Sequence, residues 1–278
     1  MALDHVLKWY AETIRSPYLH YGYWDEPDQV DPEAIGLADI ARAQERYITR
    51  LAEVIPDSVH SILDVGCGIG GNAAFLRDRG YAVEVLSPDK YQEEVIMERF
   101  QQRLPFHRTR FEDFVPARSY DLVLESESAA YIKPKPGFAA AGRCLRPGGY
   151  LLVSDYFIIY DDQSDSPHLR GAHRLETYKR EAETAGFKLL EERDVTAHIL
   201  PTLKTATAFV ERFIYPTSDY ILYTLRRKHP RILAGLRWLG QSLWDRKQKQ
   251  LQLIDSEAFL TYRRYKFFLF QLGDKPVT

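Results

Sequence analysis

The sequence has few of the features that mark secreted, membrane-spanning or nucleic-acid-binding proteins. Only two cysteines, Cys67 and Cys144, occur in 278 residues, which is too few for a disulfide framework and suits a reducing compartment. No run of about 18 apolar residues is present to span a bilayer, and the opening MALDHVLKWY lacks the pattern of a signal peptide. The formal net charge of −2 gives no electrostatic reason to expect a nucleic-acid partner. We therefore expect a cytoplasmic protein.

What the sequence does contain predicts an α/β fold. Apolar residues make up 45% and charged residues 27% of the chain, as in ordinary globular domains. From residue 61 onward, the apolar segments SILDV, YAVEVL, YDLVLES and GYLLVSDYF alternate with helix-like segments, a pattern typical of parallel sheets. Further strands are predicted in FKLLEERDV and YKFFLFQL, with long helix-like stretches at about 202–250 between them.

A glycine-rich turn follows the first predicted strand. In ILDVGCGIGGN, Gly66, Gly68 and Gly71 match G-x-G-x-x-G, which taken alone also fits a dinucleotide fold. Glycine permits positive φ and close approach of a ligand, and the helix that follows presents unpaired N–H groups. The chain has no G-x-x-x-x-G-K-[ST] motif, which excludes a P-loop triphosphate site. Asp64 precedes the turn, where a carboxylate would repel a pyrophosphate but tolerate a cationic ligand.

Two later segments complete a recognisable pattern. SYDLVLESES ends an apolar strand in carboxylates and hydroxyls, at the sheet edge where open α/β folds bind ligands. CLRPGGYLLVSDY joins a helix end, a Pro-Gly-Gly turn and a buried strand. Together with D-x-G-x-G-x-G, these segments resemble the class I S-adenosylmethionine-dependent methyltransferases over roughly residues 61–195.

The resemblance implies a fold and a domain organisation. The expected fold is α/β, with a Rossmann-like seven-stranded, mostly parallel sheet and helices on both faces. Residues 1–60 would form an N-terminal helical lid segment, and residues 61–278 the class I methyltransferase domain. The helical stretch at about 202–250 would be a cap inserted before the last strand.

The resemblance also implies S-adenosylmethionine as the cofactor, a ligand with a sulfonium and an amino acid tail but no phosphate. Asp64 is expected near its ammonium group, through water or through the main chain. The alternative for Asp64 is a carboxylate that accepts hydrogen bonds from main-chain N–H groups. The methionine part would be lined by the turn residues Gly66, Cys67, Gly68 and Gly70.

The ribose and adenine ends of the cofactor are less fully specified. The acidic residue that usually ends the second strand is missing, because Val85 stands at its position. We expect Ser87 near the ribose instead, with Glu84 solvated or pointing the other way because side chains alternate along a strand. In RFEDF, the predicted adenine neighbours are Glu112 or Asp113 as acceptors for the amine, and Phe114 as an apolar contact.

An aromatic segment, SPYLHYGYWDEP, precedes the predicted core. It resembles the H-x-G-[YF]-W segment that folds over the cofactor in lipid- and prenyl-directed methyltransferases. Aromatic faces attract a sulfonium by cation–π interaction, and a lid excludes water from the methyl group. His20, Tyr21 and Tyr23 are expected in this lid, with Trp24 packed behind it. Ordinary packing of an N-terminal arm on the core is the alternative.

The reacting end is expected after the fourth strand, in ESESAAYIK. This segment resembles the [SA]-x-E-x-x-x-H of sterol, tocopherol and cyclopropane-fatty-acid methyltransferases, with Glu127 at the glutamate and Tyr131 in place of the histidine. Glu127 is thereby implied near the methyl acceptor, where it can stabilise a cation or accept a proton. Glu125 is expected nearer the cofactor, or as a partner of residues that contact it. The alternative for these acids is that main-chain amides at the strand ends satisfy them. Because Asp155 ends the next strand, we expect the pKa of at least one of these acids to be raised.

The expected reaction is methyl transfer to a hydrophobic small molecule, such as a lipid, prenyl, sterol or polyketide-like acceptor. The candidate catalytic residues are Glu127, Tyr131, Tyr21 and His173, with His198 as a further possible base. A polar natural-product or amine acceptor methylated at N or O stays open, as does a catalytically inactive, cofactor-binding partner subunit. No metal site is predicted, and nothing in the sequence indicates the oligomeric state. Residues 225–249 are basic with Trp238 and Trp244 interleaved, which fits a solvated helix face, peripheral contact with an anionic membrane or binding of a phosphorylated acceptor.

Overall fold

The computed structural model describes residues 15–160, 169–228 and 255–273, which fold around one seven-stranded sheet. Its strand order is β3-β2-β1-β4-β5-β7-β6. β7 runs antiparallel to both of its neighbours, and every other pair is parallel. The expected seven-stranded, mostly parallel sheet is confirmed. The strands are β1 (Ser61–Val65), β2 (Ala82–Leu86), β3 (Phe106–His107), β4 (Tyr120–Ser126), β5 (Leu145–Ile158), β6 (Phe187–Asp194) and β7 (Arg263–Leu272).

Hydrophobic patterning explains where each strand lies. The central strands β1 and β4 are apolar and buried almost throughout, as strands covered on both faces must be. The edge strand β6 has one buried residue, Phe187, and then alternates between exposed and partly buried residues. Neighbouring residues of the central strands, such as Ile62 and Leu63, belong to different apolar clusters. The core therefore has two layers, one on each face of the sheet.

Helices cover both faces. One face packs against α1, α2, α3, α6 and α8, and the other against α4 and α5. A π-helical turn, Val210–Ile214, joins α6 to α7. The helices are α1 (Leu37–Ala52), α2 (Gly71–Asp78), α3 (Lys90–Arg99), α4 (Pro134–Cys144), α5 (Leu175–Thr184), α6 (Thr196–Phe209), α7 (Tyr215–Lys228) and α8 (Ser256–Tyr262).

The segment before α1 is less helical than the sequence predicts. Residues 15–36 contain a single 3₁₀ turn, Pro27–Gln29, and are otherwise non-helical. Long-range hydrogen bonds hold this segment in place: the Tyr23 N–H donates to the Ala43 carbonyl at 2.8 Å, and Trp24 Nε1 donates to Thr202 Oγ1 at 2.9 Å. Docking onto α1 and α6 therefore determines its conformation. Residues 1–14 lie outside the described residues.

The predicted cap between β6 and β7 is helical as far as it is described. α6, the π turn and α7 run continuously to Lys228, and several aromatic side chains on them are exposed, among them Phe213 and Tyr220. The rest of the predicted cap, including Trp238, Trp244 and most of the basic stretch 225–249, lies outside the described residues. None of the helices in the described part of the chain has the length and apolar character needed to cross a membrane.

The two-layer core predicts a sharp contrast between two leucines. Leu152 in β5 is fully buried, whereas Leu190 in β6 is 44% exposed. Leu152→Ala should lower the free energy of unfolding by about 3 kcal/mol, because it removes buried methyl groups and leaves a cavity. Leu190→Ala should lower it by less than about 1 kcal/mol. Urea denaturation measures both, and equal losses would contradict the assignment of the core.

Candidate active site

The glycine turn joins β1 to α2 in a conformation that favours glycine. Gly66, Gly68 and Gly70 have φ values of 72°, 54° and 81°, in the left-handed region that side chains with a Cβ rarely adopt. Gly70 is also the N-cap of α2. At Gly66, a Cβ would lie 2.4 Å from the Cβ of Ser128. The turn therefore requires glycine both for its backbone angles and for the close approach of the segment after β4.

Asp64 is a buried carboxylate at the end of β1, directly before this turn. It is only 1% exposed, and burial raises its pKa to about 7. Within the described part of the chain, its Oδ2 atom accepts no hydrogen bond. A buried carboxylate oxygen without a partner is costly when it is ionised. A cationic group at this position would remove that cost, so the residues present fit the ammonium and sulfonium of S-adenosylmethionine.

The N-terminal segment crosses the turn. A Cβ at Gly68 would lie 3.1 Å from Leu19 Cδ1, and one at Gly71 would lie 2.2 Å from the Pro17 carbonyl oxygen. The ring of His20 stacks on that of Tyr47 in α1, with the centroids 4.0 Å apart. Burial lowers the pKa of His20 to about 3, so this imidazole is neutral. The lid segment is therefore packed directly on the predicted cofactor turn.

At the end of β2, Ser87 and Glu84 have separate roles. Ser87 is buried, and its Oγ accepts a hydrogen bond from the Asp89 N–H at 3.2 Å; its hydroxyl proton remains available for a ribose oxygen. Glu84 points the other way, which is the second of its two expected placements, because it contacts Tyr120 in the apolar cluster on the face opposite Val85. Its carboxylate joins three structural elements by binding His107 Nε2 at 2.7 Å, Arg118 Nε at 2.8 Å and the Tyr120 hydroxyl at 2.7 Å.

The predicted adenine neighbours lie in a 3₁₀ turn, Phe111–Asp113, and just after it. Phe114 is buried, and its ring lies 4.7 Å from that of His107. Glu112 is partly buried and pairs with Arg110 at 3.0 Å, whereas Asp113 is exposed. Which of the two acids faces the adenine stays a prediction.

Glu127 lies just beyond β4, at the predicted reacting end. Its φ of 54° turns the chain out of the strand, a conformation uncommon outside glycine. Its Oε1 atom accepts two hydrogen bonds, from the Tyr21 N–H at 3.1 Å and from the Tyr265 hydroxyl at 2.8 Å. Burial and then Asp155 raise its pKa to about 8, although both hydrogen bonds lower it. The structure thus brings Tyr21 of the lid and Glu127 together.

Two further acids lie beside Glu127 at the carboxyl edge of the sheet. Burial, with Asp155 next in importance, raises the pKa of Glu125 to about 8. Burial raises the pKa of Asp155 to about 6, although its carboxylate accepts hydrogen bonds from the Ala130 and Tyr156 N–H groups at 2.9 and 2.8 Å. The prediction that clustering would raise at least one pKa is confirmed. No group of three or more His, Cys, Asp or Glu in the described ranges could hold a metal ion.

Two candidate catalytic residues, Tyr131 and His173, have surroundings that differ from the expectation. Tyr131 is 87% exposed, so its side chain is not enclosed with Glu127. His173 Nε2 bonds to the main-chain carbonyls of Ala129 and Ile132 at 2.9 and 2.8 Å; it therefore carries a proton there and fastens the segment after β4 rather than offering a base at that nitrogen.

Tyr23 connects the lid to two helices. Its ring stacks on that of His198 in α6 at 4.2 Å, and the guanidinium of Arg50 in α1 lies 5.8 Å from its centroid. That Tyr23 also contacts the cofactor stays a prediction. His198 has a similar role, because its Nδ1 hydrogen-bonds the Trp24 carbonyl at 2.7 Å.

Comparison with known proteins gives this architecture its class. A model for the methyltransferase domain matches residues 38–192, and the chain belongs to that family. Consistent with this, it is 31% identical to methyltransferase GfsG of Streptomyces halstedii over 77% of this chain and 80% of that protein. It is also 29% identical to the O-methyltransferase cnsE of Penicillium expansum over 67% and 71% of the two chains.

A solved structure with the same fold contains the spent cofactor. Geranyl diphosphate C-methyltransferase from Streptomyces coelicolor A3(2), in complex with Mg²⁺, geranyl diphosphate and S-adenosyl-L-homocysteine, matches with a TM-score of 0.65. The match covers 94% of this chain and 92% of that chain at 15% identity. The protein is an S-adenosylmethionine-dependent methyltransferase with a Rossmann-like fold.

Two glycines with the same kind of backbone provide a matched test of the turn. Gly66 and Gly80 have φ values of 72° and 91°, but a Cβ at Gly80 meets nothing within 4 Å. Both alanine variants should lose about 1–2 kcal/mol of stability because of the left-handed backbone. Only Gly66→Ala should also weaken S-adenosylhomocysteine binding, by tenfold or more, because the added methyl displaces Ser128 or the turn. Calorimetric titration measures this, and equal affinities in the two variants would contradict the assignment.

The buried acids predict that stability rises as the pH falls from about 8.5 to 6.5. Asp64 and Glu125 have folded pKa values of about 7 and 8, above their ordinary values of 3.8 and 4.5. In this window the folded state takes up protons that the unfolded chain does not. Each group therefore raises the free energy of unfolding by up to about 1.4 kcal/mol for every pH unit of decrease. Glu125→Gln should flatten the slope in urea denaturation. His20 acts in the opposite direction, but only below its ordinary pKa of 6.5. Stability that is highest at pH 8.5 would contradict this balance.

Proposed function

We propose that this methyltransferase transfers the methyl group of S-adenosylmethionine to a hydroxyl oxygen of an apolar small molecule, with Glu127 as the general base. The observation that carries the proposal is the state of the Glu127 carboxylate. Its pKa is raised to about 8, and Oε1 alone receives the hydrogen bonds from Tyr21 and Tyr265. Oε2 accepts none from the described residues, so it is available to an acceptor proton.

The chemistry explains why such a carboxylate is useful. The cofactor supplies a methyl group already activated by the positive sulfur, so much of the rate can come from aligning the acceptor, the methyl carbon and the sulfur. A hydroxyl acceptor must still lose its proton as the new bond forms. A carboxylate with a pKa near the working pH is a stronger base than an ordinary glutamate and is still ionised in a substantial fraction of molecules.

Cofactor binding is assigned by this proposal to the turn and its surroundings. Asp64 would face the methionine ammonium, and Ser87 the ribose. Cys67 and the turn glycines would line the methionine part, and Phe114 with Glu112 or Asp113 the adenine. Glu125 would lie between the cofactor and the reacting end. The lid would cover the cofactor, because Leu19 already lies against Gly68.

The apolar character of the acceptor is inferred from the surroundings of Glu127. The ring of Tyr21 meets that of Tyr265 edge-on at 6.1 Å, and Tyr156 lies on β5 next to Asp155. Aromatic side chains beside a few placed polar groups are typical of sites for small ligands with apolar parts. The name of the related cnsE protein, an O-methyltransferase, supports an oxygen acceptor. Peripheral membrane contact through 225–249 remains a separate proposal, for which flotation with anionic liposomes is the test.

Glu127→Gln tests the proposed base. Loss of the carboxylate should lower kcat by about 10²–10⁴-fold, the range typical of general-base catalysis, and should leave the affinity for S-adenosylhomocysteine within about threefold. The acceptor is found by incubating a cell extract with S-adenosylmethionine carrying a deuterated methyl group, and by searching for metabolites that gain that group. Turnover equal to that of the wild type in E127Q would remove Glu127 from the chemistry.

The same search separates the alternatives. A labelled product with its new methyl group on nitrogen or carbon would replace the hydroxyl acceptor. If the protein binds S-adenosylhomocysteine but no labelled product forms in the extract, a cofactor-binding subunit without catalytic activity would be favoured.

A further inference from the structure

A buried chain of hydroxyl groups leads from Glu127 into the core. The Tyr265 hydroxyl donates to Glu127 Oε1 at 2.8 Å, and the Tyr47 hydroxyl lies 2.8 Å from that of Tyr265. Tyr47 in turn hydrogen-bonds Ser154 Oγ and lies 3.4 Å from Ser126 Oγ. No local sequence motif points to this chain, because Tyr47 and Tyr265 lie in segments patterned as an ordinary helix and an ordinary strand.

The hydrogen bonds in this chain have a definite direction when Glu127 is ionised. Because Tyr265 uses its proton on Oε1, its oxygen can only accept from Tyr47. The Tyr47 oxygen must then accept from a serine hydroxyl. Every donor therefore points towards the carboxylate, and such chains polarise one another in a low-dielectric interior. The chain ends at serines within the sheet, so we assign it an orienting role rather than proton transport.

The chain is also rigid. Tyr47, Ser154 and Tyr265 are fully buried and come from three different elements, α1, β5 and β7. Tyr47 packs edge-on against Phe267 with the centroids 5.5 Å apart. A side chain supported by packed helices and strands holds a functional group more accurately than a loop can. This matters at Glu127, whose backbone has left the regular strand.

We propose that Tyr265 is a positioning residue for Glu127: by binding Oε1 it directs Oε2 towards the acceptor hydroxyl, and Tyr47 and Ser154 hold Tyr265 in that orientation. This inference rests on the proposed role of Glu127 as the base. The Tyr21 N–H adds a second donor to Oε1, so the aligned carboxylate also requires the lid in place.

The groups around Glu127 determine the direction in which its pKa should change when the Tyr265 hydroxyl is removed. Asp155 on β5 raises its pKa, whereas the Tyr265 hydroxyl and the Tyr21 N–H lower it. Tyr47 on α1 and Tyr156 on β5 are the other titratable groups near it. Removing the Tyr265 hydroxyl takes away a donor to the ionised form, so the pKa of Glu127 must rise.

The test is Tyr265→Phe, with Tyr120→Phe as the matched control. The Tyr120 hydroxyl also donates to a glutamate, Glu84, at 2.7 Å, but on another part of the sheet. The protein is labelled with ¹³C in the glutamate carboxyl groups, and the Glu127 signal is assigned by its loss in E127Q. In Y265F, the Glu127 titration should move upward by about one pH unit, whereas in Y120F it should stay in place. This readout needs no acceptor.

Kinetics with the metabolite that accepts the methyl group, in its unmethylated form, provides the second measurement. Y265F should lower kcat by tenfold or more, shift the pH–kcat profile to higher pH and leave S-adenosylhomocysteine affinity unchanged. Tyr47→Phe should shift the Glu127 titration and the pH–kcat profile in the same direction by a smaller amount. This variant replaces Y265F as the test if Y265F does not fold. A Glu127 titration that is unmoved in both variants overturns the inference. Wild-type turnover in E127Q would instead overturn the proposed function, whatever Y265F does.

Discussion

The burial of a carboxylate beside a turn that only glycine can form is the constraint on which this site depends. Asp64 lies at the end of the first strand with one oxygen unpartnered among the described residues, in a place where an isolated negative charge is unfavourable. An anionic pyrophosphate would raise the electrostatic energy of the ionised carboxylate further, whereas a cationic ligand would lower it. In the proposed arrangement, the turn glycines let the ligand approach the main chain. One electrostatic requirement thus separates this methyltransferase from dinucleotide-binding proteins that share the G-x-G-x-x-G spacing.

The parallel sheet brings this buried carboxylate to the same edge as the predicted reacting end. β1 and β4 are adjacent and parallel, so the end that carries Asp64 lies beside the end that leads to Glu127. The two carboxylates differ in their partners: Asp64 Oδ2 has none among the described residues, whereas Glu127 Oε1 receives two donors. The first arrangement suits binding of a cation, and the second suits a base held in one orientation. The lid contacts both ends, through Leu19 and Tyr21.

Much of the fold and part of the candidate site could be predicted from local sequence patterns. The strand SILDV, the positive-φ glycines and the acid cluster after β4 could all be predicted, because each depends on residues close together in the chain. Tyr265 and Tyr47 could not, because their contacts join residues 138 and 218 positions apart. For Glu84, side-chain alternation predicted the direction, but its partners His107 and Tyr120 lie in β3 and β4, and no pattern in β2 reveals them. Tyr131 was placed by motif spacing and His173 by residue type alone, and neither specifies where a side chain ends.

The most direct test of the account is a crystal structure of the protein with S-adenosylhomocysteine. We predict that the methionine part lies against Gly66–Gly70. Its ammonium group should be bonded to Asp64 directly or through one water, and its sulfur should face Glu127. A cofactor bound elsewhere, with Asp64 Oδ2 still unpartnered, would contradict it.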